Sequence, residues 1–566
     1  MKHFLLLVFT ITNQLLHAQI ERYAVVIHEI MADPIPIVGL PNTEYIELLN
    51  ASKKPIDLLR WKIDNGSTTA TINTPYILEP DSIVLLCPRT QVAAFGELNN
   101  VIGLTSFPSI NNNGDLITLK NAEGTIVHAV AFETSWYNSG IKANGGWSLE
   151  LIDPLQPCAA NNWSASIHIK GGTPGLRNSI AGRLENTAPP QLVQSIALEA
   201  NKLLLDFDNP LDCLSLSNIA LYSLSNQEIT IISSNPVPPL FNSTILLLND
   251  NLDSNRIYTL YANKLQTCDK KNSSSFSIKT GLPKYPEKGD VVFNELLFDP
   301  EPGGSDFIEI INVSDAIINA KHLKLSNRNI DGSINSTSYT YDNNFNIFPF
   351  DPIVFTTDSS YIIKKWNKSK VDHLLQMKSL PSMPDDDGKI LLLDYAGAII
   401  DEVQYDKNLH HPLLRNKEGV ALEKINYKIS SQQKDNWHSA AASENYATPT
   451  NINSQFLIQD QHMSWIQIDQ DIIHPDNNGV YDFLQINYQF EEPGTLLTVY
   501  LFNQQGEKIT TIINNLICGR SGTYNWNGVD IQNNYIASGI YIIVAEAFHL
   551  NGKRKRFKKV IAIKRV

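Results

Sequence analysis

The sequence predicts an all-β protein of about four tandem modules. Three observations predict it: a length several times that of one ordinary core, short apolar runs alternating with polar residues between turn-forming pairs, and a colinear internal repeat with a period above 260 residues. At 566 residues the chain is sized for about four units of roughly 150 residues each. Hydrophobic residues make up 43% and charged residues 18%, which is enough apolar material for several cores and too little charge for a disordered chain.

The first element is a leader: Lys2, an apolar run from Phe4 to Ile11, a polar break, and the small residue Ala18. This pattern predicts an export signal over residues 1–18, cut after Ala18. The run falls short of the ~20 residues that span a bilayer, and no later stretch reaches that length, so no transmembrane segment is expected. No cysteine directly follows the signal, which argues against a lipid on a new N-terminal cysteine.

The repeat opens with VVIHEIMADP (Val25 to Pro34) in one copy and VVFNELLFDP (Val291 to Pro300) in the other, followed by EYIELLN (Glu44 to Asn50) and DFIEIIN (Asp306 to Asn312). Each is an alternating run suited to a half-buried strand. NNNGDLITLKNAEGTIVHAVAF (Asn111 to Phe132) then parallels DDDGKILLLDYAGAIIDEVQY (Asp385 to Tyr405), both reading as hairpins. SLELIDP (Ser148 to Pro154) parallels ALEKIN (Ala421 to Asn426), and Trp163 with Thr173-Pro174 parallels Trp437 with Thr448-Pro449. The offsets are 266 at Glu29 and 274 at both Gly114 and Trp163. On these motifs residues 21–180 and 286–455 each resemble the lamin-tail domain, an immunoglobulin-like β-sandwich that also occurs in exported bacterial proteins. The copies differ at His28 against Asn294, and the second lacks the glycines Gly171, Gly172 and Gly175.

Between the copies, residues 186–281 begin with a TAPP linker and continue as short apolar runs split by Asn, Asp, Ser and Pro, the spacing of a small sandwich. FDNPLD (Phe207 to Asp212) and IYTLYA (Ile257 to Ala262) resemble bacterial immunoglobulin-like modules. The last unit, 465–566, carries Pro475, Asp476, Gly479 and Asp482 in its first loop, a turn at Gly506, the WNG turn at Trp526 to Gly528, Gly539-Ile540-Tyr541, and a closing lysine-flanked strand. It resembles the C-terminal sorting domains of Bacteroidetes outer-membrane secretion and the related flagellar-hook-cap fold. The resemblance implies export machinery as a partner, with surface attachment or release, and leaves open whether the last domain is removed.

Net charge is −13, while eight cations and no carboxylate lie between Lys553 and Val566. The acidic body repels phosphate backbones, so no nucleic-acid partner is expected. Apolar Phe557, Val560, Ile561 and Ile563 among the terminal cations favour a strand with one solvated face over a basic patch. Five cysteines are too few for a disulfide scaffold. Cys213 with Cys268 is the expected pair, inside one module, with Cys87 and Cys158 as a weaker one.

No nucleophile elbow, zinc-binding helix motif or phosphate loop is present, so no catalytic residue and no cofactor is assigned. His410-His411 reads as a surface loop, its two rings pointing opposite ways on an extended chain. The carboxylates Glu29, Glu44, Glu47 and Glu295, Asp306, Glu309 form either a cation site or the water-facing side of alternating strands, the second being favoured. Asp476, Asn478 and Asp482, like Asp385 to Asp387, echo calcium loops, although turn chemistry explains them as well. Tryptophans at 61, 147, 163, 366, 437 and 526 suit either sugar stacking or a core. The expected function is non-catalytic: an exported surface or extracellular protein binding a protein or glycan. The alternatives are a metal-dependent extracellular hydrolase and a spacer without ligand.

Overall fold

The computed structural model describes residues 21–96, 98–159, 161–184, 189–254, 256–268, 275–456, 464–475 and 481–565. The leader at 1–18 and the candidate ligands Asp476 and Asn478 lie outside the described residues. With 41% strand and 8% helix, the chain is a set of tandem immunoglobulin-like β-sandwiches. It divides into two compact units, one of residues up to 252 with 258–280, the other of 253–257 with residues from 281 onward. No helix among the described residues is long and apolar enough to cross a membrane.

In the first unit, a six-stranded sheet orders Trp163–Ala165, Leu149–Leu151, Val25–Met31, Tyr45–Asn50, Ile83–Pro88 and Val101–Leu104, and faces a four-stranded sheet that holds the hairpin Gly114–Lys120 and Ile126–Glu133. Alternation aims Ile46 and Leu48 into the core with Trp61, Ile63 and Leu119, while Tyr45 packs on the opposite face with Leu85, Cys87 and Phe95. The module behind it pairs Lys202–Phe207 with Ser243–Leu248, both strictly alternating in burial. Trp61, Trp163, Trp366, Trp437 and Trp526 are all buried, which settles five of the six tryptophans as core. Trp147 is half-buried, with the Lys142 ammonium 4.4 Å from its ring.

The expected cysteine pair is corrected. Cys268 is bonded to Cys158, and Cys213 is free. Cys213 opens a one-turn helix capped by Asp212, whose carboxylate accepts from Ser215 N at 2.8 Å. The bond therefore joins two modules, and the pair is not the one expected inside a single module. Arg22 adds a second tie: its guanidinium donates to Leu240 O at 2.9 Å and lies 4.3 Å from the Phe241 ring. Cys158→Ser is expected to cost about 2 kcal/mol, the low end for a native disulfide, since the Arg22 contacts remain. Thermal unfolding with and without reductant checks this, because the variant should abolish the effect of reductant.

In the second unit the six-stranded order repeats: Trp437–Ser439, Leu422–Lys424, Val291–Leu297, Phe307–Asn312, Pro352–Thr356 and Leu374–Gln376. In both opening strands the register slips at one residue, between Ile27 and Glu29 and between Phe293 and Glu295. The last sandwich stacks a three-stranded sheet on a five-stranded one, whose basic strand Arg554–Ile563 pairs with Gly539–Phe548; Arg554, Lys555, Arg556 and Lys558 are exposed and Ile561 and Ile563 are buried, as expected of a strand with one solvated face, while Lys559 is half-buried and Val560 is exposed.

Candidate functional site

The repeated carboxylates face away from the core, as alternation requires, yet they do not face water. Glu29 and Glu47 are fully buried, as are Glu295 and Glu309. The outer face of each six-stranded sheet is covered by the irregular segment that closes the repeat, around 166–180 and 440–455. This corrects the solvated-face reading of Glu29, Glu47, Glu295 and Glu309. Glu44 and Asp306 stand apart: Glu44 accepts from Ile110 N at 3.3 Å, while burial, then Asp385 and Asp299, push Asp306 up to about 7.

Each buried pair gains a third member that the sequence reading did not single out. Glu29 is cross-strand partner to both Glu47 and Glu150, and Glu295 to both Glu309 and Glu423. The signal was available, since Glu150 and Glu423 occupy the matched segments SLELIDP and ALEKIN. Directly opposed like charges repel, so each row must be held by donors.

Those donors come mainly from the closing segment. Thr173 donates its N–H to Glu29 at 2.9 Å and sits with its hydroxyl 3.1 Å from Glu29 and 3.0 Å from Glu150. Tyr45 and Ser148 hydroxyls reach Glu29 at 2.7 and 2.6 Å, and Gly175 N–H donates to Glu47. In the second repeat Thr448 repeats the pattern on Glu295 and Glu423, with N–H to Glu295 at 2.9 Å and hydroxyl to Glu423 at 2.7 Å. Thr450 N–H takes the place of Gly175 on Glu309, and holds the same left-handed backbone, φ 64 against 75. Asn178 and Asn453 pin the bulges by donating to the carbonyls of His28 and Asn294, each at 2.9 Å.

The difference at His28 now has a physical meaning. Asn294 donates to Glu309 at 2.5 Å and to Asn453 Oδ1 at 2.9 Å. His28 Nδ1 lies 3.7 Å from Glu47 Oε2, and neither that oxygen nor Asn178 Oδ1 has a hydrogen-bond partner. His28→Asn is expected to satisfy both and stabilise the first repeat by about 1 kcal/mol, read as slower hydrogen exchange of the Val25–Met31 amides.

Burial, reinforced by Glu47, pushes Glu29 up to about 8, against the weaker pull of its hydroxyl and N–H donors. Burial lifts Glu47 and Glu309 to about 8 as well. Burial also holds His28 and His411 near 4, and His128 and His410 near 3. The glutamate contribution to stability is complete below the ordinary 4.5 and is lost as pH rises through about 8. The histidine contribution is complete above the ordinary 6.5 and is lost as pH falls toward 4 and 3. Urea midpoints are therefore expected to fall on both sides of a plateau between about pH 4.5 and 6.5, where the two slopes oppose. Glu47→Gln with Glu309→Gln should make the alkaline limb shallower, with Glu29 and Glu295 still raised by burial, and leave the acid limb in place.

His410 and His411 are corrected to buried residues, 3% and 1% exposed. Their rings do diverge. His410 lies 5.6 Å from the Phe298 ring with Nδ1 3.1 Å from Ser439 Oγ, while His411 lies 5.6 Å from His438. Among the described residues no group of three or more His, Cys, Asp or Glu could hold a metal ion; Asp482 is described and buried. The second unit also carries an open cleft of about 1150 Å³ between its second repeat and the last sandwich.

A lamin tail domain model matches residues 19–134, which hold Glu29 and Glu47. No curated protein matches the chain. Among solved structures, domains 1–6 of the surface layer protein SbsC are 11% identical, covering 67% of this chain and 55% of that one at a TM-score of 0.16. A DUF4876 family protein from Bacteroides thetaiotaomicron is 11% identical over 36% of this chain and 87% of its own, at 0.19. PorZ of Porphyromonas gingivalis, a surface component of the type-IX secretion system, is 9% identical over 94% and 86%, at 0.16. The chain spans 44% and 55% of the lengths of the SbsC structures it matches.

Proposed function

We propose that the chain is an exported, non-catalytic modular protein: two lamin-tail-like repeats, an immunoglobulin-like spacer and a C-terminal sorting-type sandwich. It presents loops and faces at the cell surface or outside the cell to a protein or glycan partner. One observation carries the reading. The groups with the most chemical promise lie inside the fold: the closing segments bind the glutamate rows, which act as staples for the sheets, and the histidine pair is buried against Phe298, His438 and Ser439. Function then falls to exposed loops and module faces on a rigid scaffold. The lamin tail match over 19–134 supports the first module of this architecture.

The test is fractionation of the native host expressing the full chain or a chain ending at Phe456, which keeps the Ser454 and Gln455 contacts to Glu423. The full chain should reach the surface or medium and the shortened one should stall in the periplasm. Equal distribution overturns the sorting reading. Metal-dependent turnover across a phosphoester panel by the purified full chain overturns the non-catalytic reading.

A further inference from the structure

The cleft in the second unit has an unusual composition for an acidic chain. Its floor is the face of the five-stranded sheet turned away from the core, where register sets Leu496, Phe548 and Arg554 in one row and Thr498, Glu546 and Arg556 in the next. The alternate residues Leu497, Val499, Ala545 and Ala547 fill the core behind it. The opposite wall is the loop 413–420 with Asn445 and Tyr446.

Five cations and three carboxylates line this space, a positive balance in a chain whose net charge is −13. Two of the carboxylates are already paired: Glu301 with Lys365 at 3.0 Å and Glu546 with Arg556 at 3.3 Å. Arg415 on the wall and Arg554 on the floor are exposed and make no ion pair among the described residues. The Arg554 guanidinium lies 5.5 Å from the Phe548 ring, which holds the fork beside an aromatic face. Tyr500 presents a second ring, and Asn416, Asn445 and Asn514 offer carboxamides.

We propose that this cleft binds an oligosaccharide bearing uronate carboxylates, and the proposal rests on the surface-binding reading above by giving it a site. A guanidinium fork matches a carboxylate in two-point geometry. Aromatic side chains join an apolar face to a polar handle, so Phe548 and Tyr500 suit the C–H face of a sugar ring, and carboxamides both donate to and accept from hydroxyls. The volume exceeds the roughly 1,000 Å³ upper range of sites for drug-sized ligands, which fits a chain of several sugars.

The test titrates the full chain with oligogalacturonate and with its methyl ester, then repeats the titration with Arg415→Gln and Arg554→Gln. Both arginines are exposed, and unchanged thermal unfolding of the variants verifies their folds. Each substitution should weaken binding about tenfold, the lower end for a charge-assisted hydrogen bond, and the methyl ester should bind at least as weakly as either variant. Equal binding of acid and ester overturns the proposal, as does equal competition by polyglutamate, which would mark an acidic-peptide site. Galacturonate binding that survives both substitutions places the glycan elsewhere and leaves the surface-binding reading standing. No binding of galacturonate, together with no hit in a wider screen of glycans and surface proteins, removes both.

Discussion

Glu29→Leu is expected to destabilise the first repeat by about 4 kcal/mol, while Glu29→Gln changes it by less than about 1 kcal/mol. Leucine leaves the Tyr45 hydroxyl and the Thr173 N–H buried without an acceptor, and each orphaned donor costs about 1–3 kcal/mol. The Ser148 and Thr173 hydroxyls lose less, since Gly171 O and Glu150 remain within reach at 3.4 and 3.0 Å. Glutamine keeps a carbonyl for the N–H and phenol and, like the protonated carboxyl that burial favours, sets no charge against Glu47. The second repeat supplies the control. There Phe307 stands at the place of Tyr45 and Ala421 at that of Ser148, so among the described residues Thr448 alone donates to Glu295. Glu295→Leu should cost about half as much. Native-state hydrogen exchange of the two opening strands reads both effects, and equal losses in the two repeats would show that burial alone, and not the donors, sets the cost.

Much of the architecture was legible because it rests on periodicity. The run EYIELLN sends Ile46 and Leu48 inward and Glu47 outward whatever lies beyond, and the structure keeps that parity. What covers the outward face was not legible, because the closing segments are irregular and carry no period. Their anchor residues were visible, however, as the Thr-Pro matches at Thr173 and Thr448. The cysteine pairing failed for a related reason: Cys158 and Cys268 belong to different modules, and local spacing says nothing about how neighbouring modules meet. At His410-His411 the opposed rings followed from extended backbone, whereas burial depended on Phe298 and His438, residues distant in sequence.

Gln455→Leu is expected to cost about 3 kcal/mol and to free the last sandwich from the second repeat. The carboxamide is fully buried; its Oε1 accepts from Gly494 N at 3.0 Å, and its Nε2 donates to Ser439 O at 3.0 Å and Cys518 O at 3.3 Å. Leucine matches its bulk and satisfies none of these three backbone groups. The neighbouring backbone ties Arg520 N to Ser454 O at 2.8 Å, and Ser454 and Gln455 also cap Glu423 at 2.7 and 2.8 Å. One short segment thus closes the glutamate row on one side and grips the last sandwich on the other. The variant should keep its backbone N–H on Glu423, so the second repeat stays folded while the joint loosens. Small-angle scattering should show a larger radius for Gln455→Leu than for the parent, with an unchanged circular dichroism spectrum. A variant that loses the second repeat as well would mean that the cap and the joint form one cooperative element, and that the last sandwich helps hold the repeat it follows.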